Sequence, residues 1–292
     1  MRHAKRDGPE DRPRPGPPNE PPPGATAEQP VPDEPTGPDP KAAETAGIGD
    51  DAESPVPRGA VLRILAVARF QVAGYVRSGQ VLFPLVLLGL IIAVQSGMPA
   101  GPAASFADAA AFALPVFALT AHQLLGAEPD AQRAISVRNA GSRWAYLAGG
   151  LLAALTVNLG FLLLSTASAL RGPLSGHVLA GGSVVTTIVV GLAVHLLMYL
   201  PGVALGALTT RAVTGDAPAE YVALAAGLLL AVVPGLASGP GSWIALPLFR
   251  LLRAANAGRL DLAAPGIVLH VAIWTAVVTG AYVLLRLRRR SP

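Results

Sequence analysis

The sequence predicts an all-α membrane protein, with six transmembrane helices preceded by an N-terminal amphipathic helix lying in the membrane interface. Three observations lead there. Of 292 residues, 52% are hydrophobic and only 14% are charged, whereas a soluble domain carries about 25% charged residues. Long apolar runs recur, and the run from Trp144 to Leu170, WAYLAGGLLAALTVNLGFLLLSTASAL, holds no charge. As a helix it would rise about 40 Å against a hydrocarbon core of about 30 Å. Finally, arginines gather at alternate ends of these runs, as basic residues do on the cytoplasmic side of a membrane.

The formal charge of +4 joins two unlike halves. Residues 1–58 hold seven Lys/Arg and twelve Asp/Glu, and the remainder holds fifteen arginines and six acids. The arginines flank apolar runs rather than forming a soluble basic face, which argues against nucleic acid as a partner. The absence of cysteine excludes disulfides, thiolate catalysis and Cys-based metal sites. Abundant Ala, Gly, Pro and Arg beside only two lysines suggests a GC-rich bacterial genome.

Residues 1–58 are rich in Pro, Gly, Glu and Asp, as in RPRPGPPNEPPPG. They bury too little apolar surface to offset chain entropy and are expected to form a disordered cytoplasmic tail. The segment 61–79, VLRILAVARFQVAGYVRSG, places Val61, Ile64, Leu65, Ala68, Val72, Tyr75 and Val76 on one helical face. Its arginines, Arg63, Arg69 and Arg77, make a crossing costly, at about 2.5–3.5 kcal/mol each near a helix centre. It therefore reads as the interfacial helix. Spans are expected at about 81–95, 106–126, 144–170, 178–209, 220–237 and 267–286, within a membrane domain covering 59–290.

With this layout the inner segments hold twelve arginines and the outer ones four, Arg171, Arg250, Arg253 and Arg259. The count places both termini in the cytoplasm of a multi-pass cell-membrane protein. Three of the outer arginines fall in LPLFRLLRAANAGRL, a segment patterned as a short amphipathic helix.

Motifs for chemistry are scarce. No GxxxxGK[ST] phosphate loop and no HExxH occurs, so neither nucleotide binding by that route nor zinc proteolysis is expected. His122, His195 and His270 lie in or near spans. Without a carboxylate partner beyond Asp108 they read as interhelical hydrogen-bonding groups, as do Gln95, Gln123 and Asn158. Gly149-Gly150, Gly181-Gly182, Gly160 and Gly191 read as points of close helix approach, and Pro115, Pro201 and Pro234 as kinks.

The most informative polar stretch is AEPDAQRAISVRNAGSR, residues 127–143. Pro129 suits a first helical position, with Glu128 and Asp130 at the positive helix end. Arg138 sits near the negative end and Gly141 just beyond it. A short cytoplasmic helix is expected, carrying Ile135 and Val137 on an otherwise polar element. So short a helix is marginal alone and needs lipid or a protein partner.

This layout resembles the permease subunit of an ABC-2-type exporter. The likeness covers residues 61–290: an interfacial helix, six spans with both ends inside, a helical loop between spans 2 and 3, and an enlarged outer connection between spans 5 and 6. It implies a chain that is not itself an enzyme, binds no cofactor, and is driven by a separate ATPase subunit that binds ATP. It further implies a homodimer or paired permease in membrane lipid, exporting a lipid-like, peptide or drug-like cargo. Glu128, Asp130, Arg133, Ile135 and Arg138 would form the ATPase-coupling loop. The family often has an acidic residue followed by Gly-Thr in this loop; Glu128 and Asp130 match the acidic part, and Gly-Thr is absent from EPDAQRAI. A non-transporting membrane scaffold or assembly protein is the alternative, and a secondary transporter would need mid-membrane ionisable pairs or an inverted repeat.

Overall fold

The computed structural model describes residues 58–97, 102–170, 184–215, 217–237, 239–257 and 259–288, all within the compact unit Glu53–Pro292. The expected tail, apart from Arg58, lies outside the described residues, as do the start of the fourth expected span, Gly181-Gly182 and the last two arginines.

Among the described residues every regular element is a helix. They are α1 (Arg58–Arg77), α2 (Leu82–Gln95), α3 (Pro102–Gly126), α4 (Asp130–Asn139), α5 (Arg143–Ala169), α6 (Val184–Leu208) and α7 (Arg211–Thr214). Then come α8 (Ala217–Val232), 3₁₀ turns at Val233–Leu236 and Pro240–Trp243, α9 (Leu248–Asn256) and α10 (Leu260–Arg288). Six helices are long and apolar enough to cross a membrane: Gly59–Arg77, Ala104–Gly126, Arg143–Ala169, Ile188–Leu208, Pro218–Leu236 and Ala263–Arg288.

That set differs from the expected one at its start. The first helix meets the length and composition of a span, while Leu82–Gln95 has only 14 residues, a rise of about 21 Å. The sequence pattern also merged two faces of α1. Val67, Ala68, Val72 and Tyr75 turn inward, whereas Val61, Leu65 and Val76, expected on the same face, are exposed. Apolar groups on both sides are what a helix needs when it packs on protein and touches lipid. Gly79, at φ +71°, turns the chain between α1 and α2, a conformation that favours glycine. α1 then packs mainly along α5, and α2 along α3.

α3 is the centre of the bundle. Its apolar window is 67% buried, against 11% for α8. It packs against α5, α2, α9 and, most extensively, α6. Close approach to α6 is set by glycine. A Cβ at Gly191 would meet the Phe106 ring at 2.6 Å, and one at Gly202 would meet Phe117 Cβ at 2.7 Å. One at Gly206 would clash with the Ala118 carbonyl oxygen. Gly149 does the same between α5 and α1, where a Cβ would lie 2.7 Å from Val67. Gly160, expected to serve likewise, has nothing within 4 Å.

Pro115 and Pro201 lie inside continuous helices, and Pro234 opens the first 3₁₀ turn. The last helix starts at Leu260 rather than near 267 and carries Pro265 within it. The connection between α8 and α10 folds back on the bundle. α9 buries Leu248, Leu251 and Ala255 and exposes Arg250 and Arg253, as its pattern predicts. The second 3₁₀ turn is pinned by α10: His270 Nε2 donates to the Trp243 carbonyl at 3.0 Å, and Trp274 Nε1 to the Ile244 carbonyl at 3.0 Å.

Candidate functional site

The α3–α4–α5 corner gathers the polar chemistry. α3 ends at Gly126, and Pro129, extended at ψ 151°, caps α4 without contributing a side-chain bond. The proline thus precedes the helix instead of opening it. At the far end Gly141 takes φ +73°. Ser142 then caps α5, its Oγ accepting from Ala145 N at 3.0 Å. This ten-residue helix is thereby held between two fixed turns.

Glu128 organises the corner. One carboxylate oxygen accepts from Ser136 Oγ, and the other accepts from Tyr146 OH at 2.5 Å. Its backbone carbonyl accepts from Arg133 Nη2 at 2.9 Å. One residue therefore ties its own loop, the body of α4 and the start of α5. Hydrogen bonds to an ionised carboxylate are about twice as strong as neutral ones. Tyr282, one turn before Arg286 in α10, is buried.

The expected coupling residues separate into two groups. Glu128 is spent internally and does not sit free at the helix end, and Arg133 is half-buried beside it. Ile135, 62% exposed, and Arg138 point away from the knot to the surface. Asp130 is the first residue of α4. Arg63, Arg69 and Arg77 are all exposed along α1. Sequence reasoning missed Ser136 and Tyr146. Tyr146 is one hydroxyl in an apolar run; nothing local marks it as a partner of Glu128.

The three histidines are each committed to the fold. His195 Nδ1 lies 2.8 Å from the Gly191 carbonyl, which can only accept, so that nitrogen carries the proton and Nε2 accepts from Ser165 Oγ at 3.1 Å. The Thr209 hydroxyl donates to its own helix, so His122 Nδ1 donates to it at 3.3 Å. His270 stacks on Trp243, 5.0 Å between centroids. Interhelical bonds of this kind contribute about 0.6 kcal/mol each in lipid. Ser165→Ala is therefore expected to lower stability by about that much, a shift of a degree or two in a thermal unfolding scan in detergent. Among the described residues no group of three or more His, Asp or Glu could hold a metal ion.

Comparison with protein-family models, with curated proteins and with solved structures finds no match for this chain.

Proposed function

We propose that the chain is the membrane permease subunit of an ATP-driven exporter, worked by a separate ATPase subunit. The observation that carries this reading is α4 itself. It is a short helix between two long apolar ones, anchored on one side by Glu128 and presenting Ile135 and Arg138 on the other. An element fixed to α5 and bare on its outer face is suited to receive a push and pass it on. The arginine distribution supports a cytoplasmic position for it, with both termini on that side. The three exposed arginines of α1 support an interfacial position for that helix. α8 and α10, with 11% and 22% of their apolar windows buried, leave broad faces for lipid and for a second permease copy.

In this mechanism ATP-dependent closure of the ATPase pair displaces α4. The Glu128–Tyr146 bond carries the displacement into α5, so the spans switch between two packings. A lipid-like, peptide or drug-like cargo would then pass outward.

The test is purification of the full-length chain from its native membranes, with mass spectrometry of co-isolated subunits. An ATPase carrying a phosphate loop is expected in stoichiometric amount. The Ile135→Glu, Arg138→Glu double variant should reduce its recovery at least tenfold while keeping the thermal stability of the permease. Recovery of no such ATPase, or its undiminished recovery with the double variant, would overturn the reading.

A further inference from the structure

A cleft of 240 Å³ opens between α1 and the α4–α5 corner. Arg63, Val67 and Phe70 line it from α1, Ser136 and Asn139 from α4, and Tyr146 from α5. The hydroxyl protons of Ser136 and Tyr146 are already given to Glu128. The donors left to a ligand are the Arg63 guanidinium and the Asn139 amide. No carboxylate lines the cleft. Gly141 seats the arginine: a Cβ there would lie 2.6 Å from Arg63 Nη1. The glycine thus serves both its positive φ and the guanidinium above it.

The α1 wall is apolar, and the same helix exposes Leu62, Leu65 and Phe70. One end of the cleft therefore favours an anion and the adjoining wall favours hydrocarbon. The cleft has room for several groups of water size, which suits a phosphoglycerol headgroup. We infer that this cleft binds the headgroup of an anionic phospholipid from the adjoining leaflet, with Arg63 on the phosphate and an acyl chain along the outer face of α1. A free phosphate would satisfy the arginine and leave the Phe70 wall uncovered. A bound lipid here would brace α4 against α1. The inference rests on the interfacial position of α1 and needs no ATPase.

The full chain contains no cysteine, so Ala66→Cys, on the cleft rim, gives a single site for a bimane label. The labelled protein is reconstituted in phosphatidylcholine bilayers with brominated phosphatidylglycerol or brominated phosphatidylcholine. Phosphatidylglycerol is expected to quench at a roughly fivefold lower mole fraction, the effect of one arginine near a membrane surface. Arg63→Ala should abolish the preference, and Arg69→Ala, which is not part of the cleft, should keep it. Equal quenching by the two lipids, or a preference that survives Arg63→Ala or falls equally with Arg69→Ala, would overturn the site alone. No quenching by either lipid would overturn the interfacial position of α1 as well.

Discussion

Gly206→Val is expected to be the most damaging single substitution in the bundle. The added Cβ would clash with the Ala118 carbonyl oxygen, lie 2.9 Å from the carbonyl carbon, and lie 2.9 Å from Ala121 Cβ. Two of those atoms are backbone of the central helix, so no side-chain rotation relieves the clash. Either α6 moves away from α3 or one of them bends. Inserting atoms into a packed interior typically costs about 1–3 kcal/mol, and more where the obstacle is rigid. We expect the upper end of that range or beyond, because this seam joins the two helices that share the largest contact. In detergent the variant should lose its cooperative unfolding transition or show it many degrees lower, with a smaller monodisperse fraction on gel filtration. Gly160→Val is the matched control. Its Cβ meets nothing within 4 Å, and its transition should stay close to that of the unaltered protein. Equal losses in the two variants would mean that valine in any span is harmful, and that the α3–α6 approach is not special.

Glu128→Ala should have the second largest effect, and a different one. It strips the acceptor from Tyr146, which is 4% exposed, and from Ser136. Leaving a buried donor unsatisfied costs about 1–3 kcal/mol. The loss falls on a ten-residue helix that is too short to hold its shape unaided. Amide hydrogen exchange across 130–139 should therefore quicken by an order of magnitude or more, while the cores of α3 and α6 keep their protection. Transport driven by the proposed ATPase should fall with it even if the ATPase still binds, because the linkage into α5 is cut. Tyr146→Phe removes one bond of the same knot and should give a smaller change of the same kind. Unchanged exchange in Glu128→Ala would show that α4 is held by something other than this carboxylate.

Composition and run length were enough to read the fold class, since charge-free stretches of span length have few other uses. They were also enough to place α4 and α9, whose polar and apolar residues alternate at helical spacing between strong turn residues. Other features were hidden for physical reasons. α1 is apolar towards α5 and apolar again on its exposed side, so a single-face reading assigned Val61 and Leu65 to the wrong environment. α10 begins at Leu260 and runs through Pro265, earlier than the span expected from 267, because a proline near the start of a helix leaves no apolar-run signal. At the α4 corner Glu128 was legible as important but not in its direction. Only the packed bundle brings Tyr146, eighteen residues on, to its carboxylate. Side chains that become neighbours through tertiary packing leave no mark in local spacing.

The 14-residue α2 has a consequence for the lipid around it. A rod of about 21 Å beside neighbours of nearly twice that length cannot reach both headgroup layers of an unperturbed bilayer. Where α2 faces lipid, with Phe83 and Val86 on its surface, acyl chains must shorten or splay to meet it. The annulus is then thinnest along one flank of the molecule. A bilayer pinched there has its two leaflets closest together on that flank.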